Sequence, residues 1–337
     1  MKLALIGYGN VGRALARLLR QKRRQFPFTI TGIHTLRHGT AVDARGLPED
    51  PCMGPRAESI EAFLDAAGAQ AAVELTTLNP STGEPAISHI RAAFARGMHV
   101  VTANKGPIAH CYSALREEAA CAGVGFRFES AVMDGAPVFN LWRYTMPAVT
   151  VLGFTGALNS TSKLVVETME KGGSFEEGLA EARRLGVTEA DGTYDIEGWD
   201  SAAKTAALAN VLMDARTTPQ QVSTRGIARL TPERVQELVR KGKTVRLISR
   251  GKRTGSRLSL RVRAEVLDRA DILACTPGTS NIILFDTDLM GTFGTISLDP
   301  QVEQTAYGVF SDLVDLAGGI DGADVIRRDR PVGRQQS

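Results

Sequence analysis

The chain contains only four cysteines, Cys52, Cys111, Cys121 and Cys275, and their spacing matches no metal-ligand motif. They are too scattered for a disulfide framework, which excludes a small stapled scaffold and fits a reducing compartment. Aromatic residues are scarce, at 6%. The arginine-rich stretch 225–269 contains none, which argues against a single-stranded nucleic-acid groove, where bases stack on aromatic rings. No apolar run approaches the length that spans a bilayer, about 20 residues. The N-terminus MKLALIGYGN also lacks the layout of a signal peptide. Neither sign of charge dominates: 40 Lys and Arg stand against 37 Asp and Glu, a net charge of +3. Charge therefore names no polyanionic partner. Internal repeats and low-complexity segments are missing as well. These absences lead us to expect a cytoplasmic protein whose partner is a small molecule, not nucleic acid or membrane.

What is present is a 337-residue chain, 43% hydrophobic and 23% charged, enough for two domains with ample core. Lys2–Ile6 is a short apolar strand, followed at once by Gly7-Tyr8-Gly9-Asn10-Val11-Gly12 and an amphipathic helical pattern from Val11 to Leu19. A G-x-G-x-x-G run between a strand and a helix is the dinucleotide-binding arrangement. Gly7 allows the tight turn, Gly9 lets the backbone approach a pyrophosphate, and Gly12 lets helix and strand pack closely. The anion would rest on the N–H groups around Asn10 and Val11, at the positive end of the helix.

A second strand is expected at Phe28–His34. NAD enzymes often carry an acid near its end, about 20 residues beyond the glycines, to hold the ribose hydroxyls. Here the run is His34-Thr35-Leu36-Arg37-His38, with no acid before Asp43. Arg37 therefore points to a 2′-phosphate and NADP, with NAD open if Arg37 is only a loop arginine. Further strands at Ala71–Leu75 and Met98–Val101 alternate with helical patterns, which predicts an α/β fold with a doubly wound parallel sheet of the Rossmann type. Ligands of such sheets collect at the carboxyl ends of the strands. Thr76, Thr77, Asn104 and Lys105 fall at that edge and are candidate cofactor contacts, although Lys105 could also be a solvated loop lysine.

The stretch Leu185–Met213 changes character halfway. Glu189, Asp191, Asp195, Glu197 and Asp200 crowd its first half, whereas Lys204 is the only charge from Ser201 to Met213. On a helix Asp200, Lys204, Ala207, Leu208 and Val211 share one stripe, and a helix so apolar is buried. A lysine held there by a carboxylate one turn away is the makings of a general acid. A solvated i,i+4 pair is the alternative. Farther on, Thr244–Val266 alternates like a hairpin around Gly251–Gly255, and Thr305–Ala317 is an amphipathic helix.

Taken together, the chain resembles the homoserine dehydrogenases nearly end to end. The resemblance rests on Val100–Lys105 (VVTANK), on Glu189-x-Asp191 with Asp195 and Gly198-x-Asp200-x-x-x-Lys204, on Glu129–Pro137, on Gly156–Ser162 and on the 305–317 helix. It implies interconversion of L-homoserine and L-aspartate 4-semialdehyde with NAD(P)(H), a step of threonine, methionine and isoleucine synthesis. Carried over by position, it makes Lys204 the proton donor to the aldehyde oxygen and sets Lys105 beside cofactor and substrate. Glu189 and Asp200 would hold the amino and hydroxyl end of the substrate, Asp195 would support the lysines, and Thr161 would touch the substrate.

The resemblance further implies a monovalent cation held by backbone carbonyls of Glu129 and Val132, and a homodimer built through sheet pairing. Its domain plan is an NAD(P)-binding domain at 1–130, an α+β substrate and dimerisation domain at 131–300, and a segment 301–337 that packs back onto the first. The chain's length suggests a short form without a C-terminal ACT-type regulatory domain. It departs from the family pattern at Asp134, Ser160, Lys163 and Val187. Two rival readings are an NADP-linked oxidoreductase for another amino-acid aldehyde or imine, and an NADPH-binding protein without turnover. The last has no use for Lys204.

Overall fold

A computed structural model describes residues 1–188 and 192–318; Glu189 and residues 319–337 of the expected returning segment lie outside the described residues. The first sheet holds six strands: β1 (Lys2–Ile6), β2 (Thr29–Thr35), β3 (Gly39–Val42), β4 (Ala71–Glu74), β5 (His99–Thr102) and β6 (Phe126–Arg127). Their order is β3-β2-β1-β4-β5-β6. All neighbours run parallel except β2 and β3, which are antiparallel across a three-residue turn at 36–38. Helices α1 (Asn10–Lys22), α2 (Ile60–Ala67), α3 (Ala86–Phe94) and α4 (Lys105–Cys121) connect them.

The strand pleat explains why helices cover both faces. Leu3 and Leu5 of β1 point to one side, where Leu15 and Leu19 of α1 meet them. Ala4 and Ile6 point to the other, against Phe63 and Leu64 of α2 and Ile90 of α3. Period-2 side chains buried on both faces give the continuous apolar strands of a parallel sheet.

Beyond a 3₁₀ turn at Glu129–Ala131, the chain forms α5 (Phe139–Thr145), β7 (Val151–Ala157), α6 (Ser160–Glu170), α7 (Phe175–Arg184), α8 (Thr193–Glu197) and α9 (Trp199–Met213). Next come β8 (Ser223–Arg225), α10 (Pro232–Arg240), β9 (Lys243–Thr254), β10 (Arg257–Asp268), β11 (Asn281–Thr287) and β12 (Thr292–Ser297). These strands make a second sheet, β12-β11-β7-β9-β10-β8, antiparallel except where β8 joins β10. The alternation at 244–266 is the β9–β10 hairpin, which closes with Thr254 opposite Arg257.

Two packings position the site. Helix α11 (Val302–Leu316) lies across α1 and buries Ala306, Val309, Phe310 and Leu313 there. Helix α4, from the first sheet, lies along α9. The small residues Ala202, Ala203, Ala206, Ala207 and Ala209 are all buried on α9 and allow close approach from several sides. The apolar half of the 185–213 stretch is thus the buried helix expected of it, and it presents its first turn to the edge of the first sheet.

Candidate active site

Strands β1, β4 and β5 end at one edge of the first sheet, and the strand order reverses between β1 and β4, where ligands of this fold collect. Gly7 sits there at φ +99°, and a Cβ would stand 2.6 Å from the Leu75 carbonyl oxygen. Only glycine makes that turn without strain. At Gly12 a Cβ would approach the Gly7 carbonyl to 3.1 Å, so close packing of helix and strand holds this position. Gly9 is different: a Cβ there would meet nothing within 4 Å. No side chain caps α1, and its first turn has no acid. The N–H groups around Asn10 and Val11 therefore face a clear cradle at the positive helix end, which suits a pyrophosphate.

Around this cradle the β4 and β5 ends are tied together. The Glu74 carboxylate accepts the Thr76 N–H at 2.9 Å, the Thr76 hydroxyl, and the Thr102 hydroxyl at 2.8 Å. Asn104 donates to the Thr76 carbonyl at 3.1 Å and caps α4 by accepting the Gly106 N–H at 2.9 Å. Thr77 is exposed. Arg37 and His38 occupy the β2–β3 turn, whose three residues include no acid; Asp43 comes after β3 and accepts the Arg45 N–H at 2.8 Å. The residues present fit a dinucleotide.

The cap on Asn104 starts α4 at Lys105, and packing of α4 along α9 brings Lys105 to Asp200. Lys105 Nζ lies 3.2 Å from Asp200 Oδ1, and Lys204 Nζ lies 3.4 Å from Asp200 Oδ2. One carboxylate thus bridges two ammonium groups from different helices, α4 and α9. Lys204 also donates to the Leu158 carbonyl at 2.6 Å. Asn159 joins Asp200 to Asp195, donating at 3.0 Å and 2.6 Å respectively, and Thr188 donates to the other Asp195 oxygen at 2.7 Å.

The charges follow from these contacts. Burial alone would push the Asp200 carboxyl up, but Lys204 first and Lys105 second hold it well below the usual carboxylate range. Asp195 shifts the other way: burial and the neighbouring Asp200 charge raise it, against hydrogen bonds from Thr188 and Asn159. Two acidic residues side by side are thus driven apart, one kept ionised by lysines and the other made easier to protonate.

Lys105, Asp195, Asp200 and Lys204 come together as one cluster, while Glu189 is outside the described residues. Thr161 is buried beside the cluster, on α6, and its hydroxyl donates to the Val187 carbonyl at 3.3 Å. Lys163, farther along α6, is buried and donates to the Ser280 carbonyl; burial brings it down to about 8. Glu129 and Val132 lie at the turn between the sheets. The Glu129 carboxylate accepts the N–H groups of Val138, Phe139 and Asn140 at the start of α5, and burial pushes it up to about 7. Among the described residues no group of three or more His, Cys, Asp or Glu could hold a metal, and no helix is long and apolar enough to cross a membrane.

Asn159 is the site residue that the sequence did not single out. Its signal was present, a polar residue directly after β7 at the N-cap of α6. Its partners Asp195 and Asp200 are 36 and 41 residues away, so the bridge exists only in the fold.

A dinucleotide cradle opposite a lysine–carboxylate cluster defines an NAD(P)-dependent oxidoreductase acting on a CH–OH group. Comparison with known proteins narrows the class. A family model described as homoserine dehydrogenase matches residues 137–314, and one described as homoserine dehydrogenase, NAD binding domain, matches residues 7–129. The chain belongs to the homoserine dehydrogenase family. It is 35% identical to the NAD(+)-dependent homoserine dehydrogenase of Pseudomonas canavaninivorans, over 94% of this chain and 96% of that one. It is 34% identical to the homoserine dehydrogenase of Methanocaldococcus jannaschii, over 94% and 98%. Among solved structures, a putative homoserine dehydrogenase from Archaeoglobus fulgidus superposes with a TM-score of 0.83 at 29% identity, covering 94% of this chain and 99% of the other. The rival readings, a different aldehyde or imine and a protein without turnover, are not favoured by these matches.

Proposed function

We propose that this homoserine dehydrogenase reduces L-aspartate 4-semialdehyde to L-homoserine with Lys204 as proton donor and NADP as the preferred cofactor. The bound dinucleotide supplies or accepts the hydride. Arrival of hydride at the aldehyde carbon leaves charge on the oxygen, and an ammonium group answers it with both charge and proton. Two protons of Lys204 are engaged by Leu158 and Asp200, which leaves the third for that oxygen. Asp200 keeps both lysines near one point, and Lys105 sits between the cofactor edge and the substrate. Glu189 and Asp200 serve the amino and hydroxyl end, Thr161 lines the substrate side, and Asn159 spaces Asp195 from Asp200. The observation that carries this reading is the Lys105–Asp200–Lys204 bridge.

The NADP preference rests on Arg37 in a turn without a carboxylate. Purified enzyme supplied with L-homoserine and either NADP or NAD, followed at 340 nm, tests both parts. Faster turnover with NADP, reversed by Arg37→Glu, is the expected result. Faster turnover with NAD in the unaltered enzyme overturns the Arg37 argument, and no turnover with either overturns the substrate. We also propose a cytoplasmic homodimer formed through the second sheet, where Val266 and Ile296 stand exposed; light scattering giving a monomer contradicts it. The monovalent cation belongs to the same reading, and an unchanged rate on exchanging potassium and sodium for a bulky organic cation removes it.

A further inference from the structure

The apolar helix α9 carries one buried amide, Asn210, that the reaction itself does not use. The residue is 4% exposed, and its side chain makes four hydrogen-bonding contacts. The two Nδ2 hydrogens are shared among the carbonyls of Ile108 at 3.0 Å, Ala109 at 3.2 Å and Thr217 at 3.0 Å, and Oδ1 accepts the Thr217 N–H at 2.8 Å. Ile108 and Ala109 belong to α4, just before that helix breaks. Cys111 sits inside it at φ −141° and ψ 16°, far from helical values. Breaks of this kind occur where a side chain enters the i→i−4 ladder and serves carbonyls displaced from their helical donors.

The same contact fixes the two halves of the active site to each other. Lys105 lies three residues before Ile108 on α4. Lys204 and Asp200 lie six and ten residues before Asn210 on α9. A slip of α4 by one residue along its axis moves Lys105 by about 1.5 Å, enough to break its 3.2 Å approach to Asp200. We infer that Asn210 is a positioning residue: it locks α4 to α9 at the α4 kink and so sets Lys105 against the Asp200–Lys204 pair. The inference rests on the catalytic reading given above.

A double-mutant cycle tests it, with Asn210→Ser made in the unaltered enzyme and in Lys105→Ala. Serine can reach fewer of the α4 and Thr217 groups. In the unaltered enzyme Asn210→Ser should lower kcat about 10- to 100-fold, the cost of misplacing a reacting group by about an ångström. KM for homoserine and NADPH affinity, read by nucleotide fluorescence, should stay within about three-fold. In Lys105→Ala the same change should lower kcat by less than about two-fold, because the group being positioned is gone. Equal losses in both backgrounds, or an unchanged kcat in folded Asn210→Ser, overturn the inference. If Asn210→Ser does not fold, Asn210→Thr, which fills more of the volume and keeps one donor, carries the same cycle. Full activity in Lys105→Ala alone would refute the catalytic reading instead, so the two failures are told apart.

Discussion

Replacing Asp200 by asparagine removes one charge, changes almost no volume, and tests whether the carboxylate holds the site together. In the folded enzyme its oxygens lie 3.2 Å and 3.4 Å from two ammonium groups. At an effective dielectric constant of about 20, each approach is worth roughly 5 kcal/mol of gross attraction. Desolvation takes back much of that, and removing one member of a buried pair costs about 3–5 kcal/mol net. The side chains retain between 14% and 19% exposure, which places the expected loss near the lower end, about 3 kcal/mol. Urea unfolding followed by the fluorescence of Trp142 and Trp199 measures it. The pH dependence has a definite sign. Because the folded carboxyl titrates below its ordinary value, the stabilisation is complete above pH 3.8 and is lost as pH falls through the lowered value. The gap between the two proteins should therefore be flat from about pH 5 to 8 and narrow in stronger acid. A gap below about 0.5 kcal/mol at neutral pH, within the range of a surface substitution, would show that the bridge does not stabilise the fold.

Two glycines of the first loop should part company. Gly9→Ala should leave thermal stability unchanged, since its Cβ has clear space, but weaken NADP(H) binding about ten-fold or more by occupying the cradle; unchanged affinity in titration calorimetry removes Gly9 from the cofactor site. Gly7→Ala should instead unfold more readily by about 1–3 kcal/mol, as its φ of +99° and its 2.6 Å approach to Leu75 demand. Lys163→Met should stabilise the protein at pH 7 by up to about 3 kcal/mol, the equivalent of bringing the group from 10.5 down to about 8. Between those values the unfolded chain binds more protons than the folded one, so the unaltered protein should gain stability as pH rises from about 8 to 10.5. Unfolding curves with the same pH slope for both proteins would contradict this.

The sequence carried the parts of the architecture that depend on local pattern. β1 and the glycine run declared themselves because a buried parallel strand is apolar throughout and a tight phosphate turn admits few residues. The composition of 201–213 announced a buried helix, and the 244–266 alternation announced a hairpin. The short strands β3 and β6, of four and two residues, are not legible in the sequence because so few side chains establish no period. The site was half legible. Lys204 and Asp200 share a helix, so spacing alone pairs them. The approach of Lys105, the Asn159 bridge and the Asn210 clamp each join residues about 35 to 100 positions apart, contacts that arise only when α4, α6 and α9 pack.

The most direct measurement is the single-turnover rate of L-aspartate 4-semialdehyde reduction by NADPH in the Lys204→Met enzyme. Methionine is of similar length and carries neither charge nor proton. The expected result is a rate lower by about a thousand-fold, with NADPH affinity unchanged within about two-fold. A rate within a few-fold of the unaltered enzyme would mean that the proton comes from elsewhere and that the Lys105–Asp200–Lys204 bridge is not the catalytic centre.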